Sequence, residues 1–175
     1  MDGGDAQVWT PQEITEGEWA GWRIWSSDPF ELLSGPFYAR RNEDGRMVCA
    51  FRAEKKHMNG GGFMHGGCLL TFADYALFCI ADEALKDTGS VTASLNAEFI
   101  DGAVEGELIE ASGEVVRAGG SLVFIRGMVS TAGRPLLNFS AIVKKVRWRP
   151  SISPLSPPSG GSTAEPPRTR GQEGG

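Results

Sequence analysis

Residues 57–67 read HMNGGGFMHGG and contain both histidines of the chain, His57 and His65. They run into CLLTFADYALFCIADEAL (68–85), almost wholly apolar, with one acid, Asp74, near its middle. The two halves offer different chemistry. If the apolar run is a helix, Gly66 and Gly67 lie in its first turn, where backbone N–H groups have no partner within the helix and the dipole favours negative charge. Glycine lets a ligand come close to the backbone. A pre-aimed N–H pair is what a developing oxyanion needs. The same feature fits a phosphate site or a plain turn, but no GxxxxGK[ST] pattern is present and the P-loop is excluded. Asp74 sits mid-helix, where it has no capping role and where an unpaired buried carboxylate is costly. Burial without a cationic partner raises a carboxyl pKa, which suits a general base or a nucleophile. The alternative is an acid that only hydrogen-bonds a neighbouring strand.

Other reactive side chains carry less. Cys68 falls in the first helical turn, where a thiol pKa can drop, yet a core cysteine is the expectation. Cys49, Cys68 and Cys79 form no metal spacing, and an odd count points to reduced, buried thiols of a cytoplasmic protein. His57, His65 and Asp74 do not make a defined ligand geometry, so neither a metal nor another cofactor is expected. His57 reads as a strand-end residue.

The elements that must position these groups fall in three zones. Residues 1–35 are Trp-rich. Thr10 looks like an N-cap with Pro11 at the first helical position and Glu13 at the third, which predicts one or two short helices bearing a Trp19, Trp22 and Trp25 packing stripe. Gly17 and Gly21 weaken that helix. Residues 36–147 form the body. PFYARR and MVCAFRAE flank NEDG, a hairpin signal. One helix follows from about Gly66 to Lys86, apolar all round and therefore buried on all sides. Four strand-like runs come next, over 90–100, 106–118, 121–131 and 135–146. Their separators are short, which predicts antiparallel hairpins or a meander. The fold class is α+β: one long helix wrapped by a curved antiparallel sheet of about six strands. Residues 148–175 are rich in Pro, Gly and Ser and are expected to be a disordered tail.

Composition bounds the function. A net charge of −5 with no Lys/Arg cluster argues against a nucleic-acid partner. KKVRWR (144–149) reads as a strand end. No uninterrupted apolar run is long enough to span a membrane, and the acidic N-terminus has no signal-peptide core, so no membrane partner is expected.

The ordered set N-x5-HGG-x6-D, formed by Asn59, His65, Gly66, Gly67 and Asp74, with a hairpin before it and four strands after, resembles the hotdog-fold thioesterases. The similarity is to the PaaI-like branch of the 4-hydroxybenzoyl-CoA thioesterase superfamily and covers about residues 36–147. GSLVFIRGMVSTAGRPL also looks like that branch. The resemblance implies hydrolysis of acyl- or aryl-CoA thioesters by a homodimer or homotetramer with sites at the subunit interface. It implies that Gly66 N–H polarises the thioester carbonyl, and that Asp74 of the partner subunit activates water or attacks. Asn59 would position the water or the carboxylate, and His65 would support the loop or face the thioester. Thr92 would hydrogen-bond the catalytic acid, and strand alternation puts Thr92, Ser94 and Asn96 on one face. Gly67 would contact the substrate; Phe63 and Met64 would line the substrate path or the dimer contact, with core packing as the alternative. Gly120 stands where similar proteins often carry a basic residue, so a CoA phosphate contact falls to Arg117, Arg126 or Arg134. The segment DPFELLSGPF (28–37) would form a lid or line the acyl pocket. Enoyl-thioester hydration or dehydration on the same fold, and a non-catalytic acyl-CoA-binding module, are the alternatives.

Overall fold

The computed structural model describes residues 10–147; the segment expected to be a tail, 148–175, lies outside the described residues, as do residues 1–9. The apolar run after the glycines forms α2 (Gly66–Ile80). It stops at Ala81, and a four-residue helix, α3 (Asp82–Leu85), follows with two acids in its first turn. Phe72, Ala73, Ala76 and Leu77 of α2 are fully buried. They face a sheet built from β3 (Tyr38–Arg41), β4 (Met47–Arg52), β5 (Gly89–Phe99), β6 (Leu108–Ala118), β7 (Leu122–Thr131) and β8 (Arg134–Val146). Phe37, Phe51 and Phe72 form the aromatic centre, with ring centroids 4.7–5.2 Å apart.

The sheet has eight strands, not about six, in the order β1-β2-β3-β4-β6-β7-β8-β5. The extra two are β1 (Gln12–Glu13) and β2 (Arg23–Ile24), which lie where the Thr10–Pro11 signal predicted a helix. The two glycines decide the outcome. Gly17 and Gly21 have φ of +78° and +82°, and Gly21 N–H bonds back to Ile14 O, turning the chain into a hairpin. The tryptophans then pack on β3. Trp19 stacks on Tyr38 at 4.1 Å, and the Arg40 guanidinium covers Trp22 at 4.5 Å. The helix of this region comes later, as α1 (Pro29–Ser34). Asp28 caps it and Pro29 opens it.

NEDG forms the predicted β3–β4 turn, closed by Asn42 Oδ1 on the Arg46 N–H at 2.9 Å, with Gly45 at φ +76°. All later pairings are antiparallel, but β5 and β6 do not form the hairpin that their short separator predicts. β5 pairs with β8 and β6 with β4. Residues 100–107 cross the open end of the curled sheet. Ile100 N–H bonds to Leu136 O, Met64 N–H to Ala103 O, and Ala53 N–H to Glu107 O. Gly113 of β6 faces Gly127 of β7 in the ladder. A Cβ on Gly113 would sit 2.9 Å from Ile80 Cδ1, and one on Gly127 2.4 Å from Phe139 Cζ. Among the described residues no helix is long and apolar enough to cross a membrane.

Candidate active site

Asp74 lies on the α2 face that meets β5, and Thr92 Oγ1 donates to its Oδ1 at 2.7 Å. That single bond orients the carboxyl and leaves Oδ2 for a water or a substrate. The predicted polar row on β5 does not extend from it. The register of β5 against β8 shifts between Thr92 and Ser94, and such a bulge re-aims the side chains that follow. Leu95 and Ala97 pack on the core beyond it, while Asn96 is exposed and donates to Ser94 Oγ at 3.2 Å.

The glycine segment forms a braced loop. Asn59 Oδ1 accepts from the N–H groups of Gly61 (2.8 Å) and Phe63 (3.3 Å), an Asx arrangement that folds the turn. His65 is the N-cap of α2: its backbone is extended and its Nδ1 accepts from Gly67 N–H at 2.9 Å. A neutral His65 in this bond carries its proton on Nε2, pointing a donor away from the helix. Gly67 N–H is thereby taken, and the first-turn donor left is Gly66, whose Cα lies under the ring of Phe99. Phe63 is 55% exposed beside this end, whereas Met64 is buried in the core. His57 is also buried, not a bare strand end. It accepts from Glu54 N–H at Nδ1 and packs edge-on against Phe51, and burial lowers its pKa, with Lys56 adding to the effect.

Gly66 and Asp74 are eight residues apart on one helix, a rise of about 12 Å. No single carbonyl touches both within one chain. On its open side Asp74 lines a cavity of about 330 Å³ between α2 and α1, which Asp28, Phe30, Glu31 and Tyr75 also line. Of the segment 28–37, Asp28, Phe30 and Glu31 thus border the acid, while Phe37 packs into the core. Glu31 carries the chemistry here that sequence reasoning missed. Burial, then the nearby charges of Asp28 and Asp74, push its carboxyl up to about 7. The Asp28–Pro29 pair is a legible helix start, but nothing local shows that Glu31 turns inward. Folding takes up a proton at Glu31 between its ordinary value of 4.5 and about 7, so stability falls as pH rises through that window. Glu31→Gln is expected to raise the melting temperature above wild type when measured above pH 7 and to leave it unchanged below pH 4.5. Melting curves that move in parallel at both ends would contradict this placement.

The profile of the thioesterase superfamily matches residues 61–137. A Pseudomonas aeruginosa protein named as an esterase, PA0474, is 30% identical over 120 residues, covering 68% of this chain and 90% of its own length. The chain belongs to the thioesterase superfamily. The human protein named acyl-coenzyme A thioesterase 13 is 27% identical over 99 residues, covering 54% of this chain and 68% of its own. Among solved structures, the Escherichia coli PaaI protein superposes with a TM-score of 0.62 at 15% identity, over 70% of this chain and 87% of PaaI. A Streptococcus pneumoniae thioesterase protein with coenzyme A gives 0.60 at 18% identity, over 69% and 95%. The fold is therefore the hotdog, and the protein is a thioester hydrolase.

Other groups weighed for this thioesterase are placed away from the acid or are already engaged. Arg126 is paired with Glu114 across β6 and β7. Arg134 is held by Asp101 at 2.7 Å and Glu107 at 2.9 Å, anchoring the crossing segment. Arg117 is exposed on the outer part of β6. Cys68 does not acquire the lowered pKa that a first-turn thiol can have: burial pushes it up to about 11, the direction of a core thiol rather than of a thiolate nucleophile.

Proposed function

We propose that this thioesterase hydrolyses acyl- or aryl-CoA thioesters to the free acid and CoA, in a site shared by two copies of the chain. The observation that carries the reading is the oriented carboxylate: Asp74 held at one oxygen by Thr92 and open to a cavity at the other. The 12 Å helix rise that separates it from Gly66 supports a two-copy site, with the acid of one α2 facing the first turn of the other. β5 offers the means of pairing. It is 11 residues long and lies at the sheet edge, and exposed Val91, Phe99 and Ile100 lie on or just beyond it. Such an edge is a template for a second strand, and a two-fold axis there gives an isologous homodimer, which can pair further into a tetramer.

In this reading Asp74 Oδ2 takes a proton from water, and the hydroxide adds to the thioester carbonyl. The oxyanion accepts from Gly66 N–H. Collapse breaks the C–S bond, and the proton on Asp74 passes to the departing CoA thiolate. Asn59 Nδ2 and His65 Nε2–H remain as donors at the same loop to place the water and the carbonyl. Gly67 N–H fixes His65, Phe63 borders the path, and Met64 supports the loop from below. Arg117 is the free guanidinium for a CoA phosphate, with Arg126 reaching one only by leaving Glu114. The name of the human relative and the coenzyme A in the pneumococcal structure support a CoA thioester. The free thiols Cys49, Cys68 and Cys79 support a cytoplasmic setting.

Thiol release measured across phenylacetyl-, benzoyl- and straight-chain acyl-CoAs tests the proposal directly. Turnover of at least one class is expected. Tight binding of these thioesters with no release of CoA from any would make the protein a binding module instead.

A further inference from the structure

His57 takes no part in the steps above, yet it is 4% exposed and its ring packs edge-on against the core ring of Phe51, with centroids 5.1 Å apart. A phenylalanine would pack there as well. The imidazole adds one specific bond, in which Nδ1 accepts from Glu54 N–H at 2.9 Å. The proton of the neutral ring is then on Nε2. That nitrogen turns to the Ser34 and Gly35 carbonyls at the end of α1 but bonds to neither. A buried donor left unpaired is costly, so the polar ring needs a reason at Nδ1. Burial and the charge of Lys56 lower its pKa and keep the ring in the neutral form that can accept there.

The bond joins a fixed part of the sheet to the arm that carries Gly66. Glu54 lies just past β4. Ala53 beside it is tied to the crossing segment, through Ala53 N–H to Glu107 O at 2.9 Å and Gly106 N–H to Ala53 O at 2.8 Å. A single 3-10 turn (Lys55–His57) leads away from Glu54. His57 N–H bonds back to Glu54 O at 2.9 Å, so the two residues hold each other at both ends of the turn. At its exit the His57 carbonyl accepts from His65 N–H at 2.8 Å. The loop between is closed on itself, by the Met58–Met64 bridge and by Asn59 N–H on Phe63 O. Near Gly66 the arm is therefore anchored to the rest of the chain at Met64, which donates to Ala103 O, and at His65, which donates to His57 O. The peptide plane that carries the Gly66 N–H begins at His65. A tilt of that plane bends any bond the N–H makes, and bent hydrogen bonds weaken steeply.

We infer that His57 is a positioning residue for thioester hydrolysis: its Nδ1 pins the 54–57 turn to the end of β4, and its carbonyl, through His65, aims the Gly66 N–H at the thioester oxygen. The inference rests on the oxyanion role given to Gly66, so its test must separate the two.

Two substitutions divide packing from positioning. His57→Phe keeps an aromatic ring against Phe51 and removes the Nδ1 acceptor. His57→Asn places an amide oxygen close to the Nδ1 position and gives up most of the ring volume. If His57 only fills the core, Asn is the more harmful, because lost volume costs stability. If it aims Gly66, Phe is. On the best acyl-CoA, His57→Phe is expected to lower kcat about ten- to a hundredfold with KM changed little, the scale of a displaced donor. His57→Asn is expected to stay within about threefold of wild type in kcat while its melting temperature falls. Should the Phe variant not fold, His57→Gln, which also lacks an acceptor at the δ position, takes its place. The same changes are then made in Gly66→Pro, where the donor is gone. There the loss from His57→Phe is expected to shrink below about threefold, because two changes that act on one interaction do not add. The same factor in both backgrounds, or a greater loss of kcat from Asn than from Phe, overturns the inference and leaves the donor at Gly66 standing. Full activity of Gly66→Pro by itself removes the oxyanion reading, and the inference falls with it.

Discussion

Asp74→Asn is expected to lower kcat for thioester hydrolysis about 10²–10⁴-fold, the usual contribution of a positioned general base, with KM changed little. The substitution is chosen for what it keeps. An amide oxygen still accepts from Thr92 Oγ1, so the 2.7 Å bond that orients the group survives, and the helix loses no volume. What is lost is the ability to take a proton. A fall in kcat and kcat/KM together identifies an interaction made in the transition state, whereas a rise in KM alone would describe a binding contact. Steady-state thiol release on the best acyl-CoA gives both numbers. Turnover within about threefold of wild type would place the base elsewhere, because removing a working base costs far more than that.

The parts of the fold that were legible in the sequence are those with one dominant period or one strong turn signal. α2 announces itself through an apolar run with no polar face, and the β3–β4 turn through NEDG. The N-terminal segment carried two conflicting local signals, a Thr-Pro helix start and two glycines. The glycines won because φ beyond +75° at Gly17 and Gly21 closes a hairpin that lets Trp19 and Trp22 pack on β3. Tertiary packing of two large aromatic rings outweighs a helix propensity worth tenths of a kcal/mol per residue. The crossing at 100–107 was misread for a different reason. Separator length distinguishes a hairpin from a crossover only in a flat sheet, and here the sheet curls until the end of β5 and the start of β6 can be joined by eight residues.

The site divides in the same way. Asp74 stood out locally as an acid in an apolar helix, whereas its bond to Thr92 was implied only by the family resemblance, and the structure has that bond. The polar row beyond Thr92 failed because a single bulge breaks the two-residue alternation on which it relied. Glu31 could not be read at all. Its environment depends on α1 lying over α2, and one acid in DPFELL looks the same whether it faces water or a cavity.

Gly66→Pro is expected to lower kcat about 10²–10³-fold, the loss typical of one oxyanion donor, in a chain that still folds. A backbone N–H is rarely open to mutation, but this position allows it. Gly66 is the first residue of α2, where proline is favoured and where the N–H has no role in the helix. The preceding residue, His65, has φ −65° and ψ 131°, the extended conformation that a following proline requires. The added ring atoms meet Phe99, 3.1 Å from the Cβ position, but that side chain is 54% exposed and can turn aside. Gly66→Ala is the control, since it adds the same Cβ and keeps the N–H. The difference between the two variants isolates the donor, and equal activities would remove Gly66 from the chemistry. Mixing then asks whether the acid and the donor belong to different copies. In a hybrid dimer of Asp74→Asn with Gly66→Pro, one of the two shared sites has both an intact acid and an intact donor. Random pairing makes half the dimers hybrid, so about a quarter of wild-type activity should return from two inactive preparations. A site contained in one chain would recover nothing, and the 12 Å of helix between Gly66 and Asp74 is the reason recovery is expected.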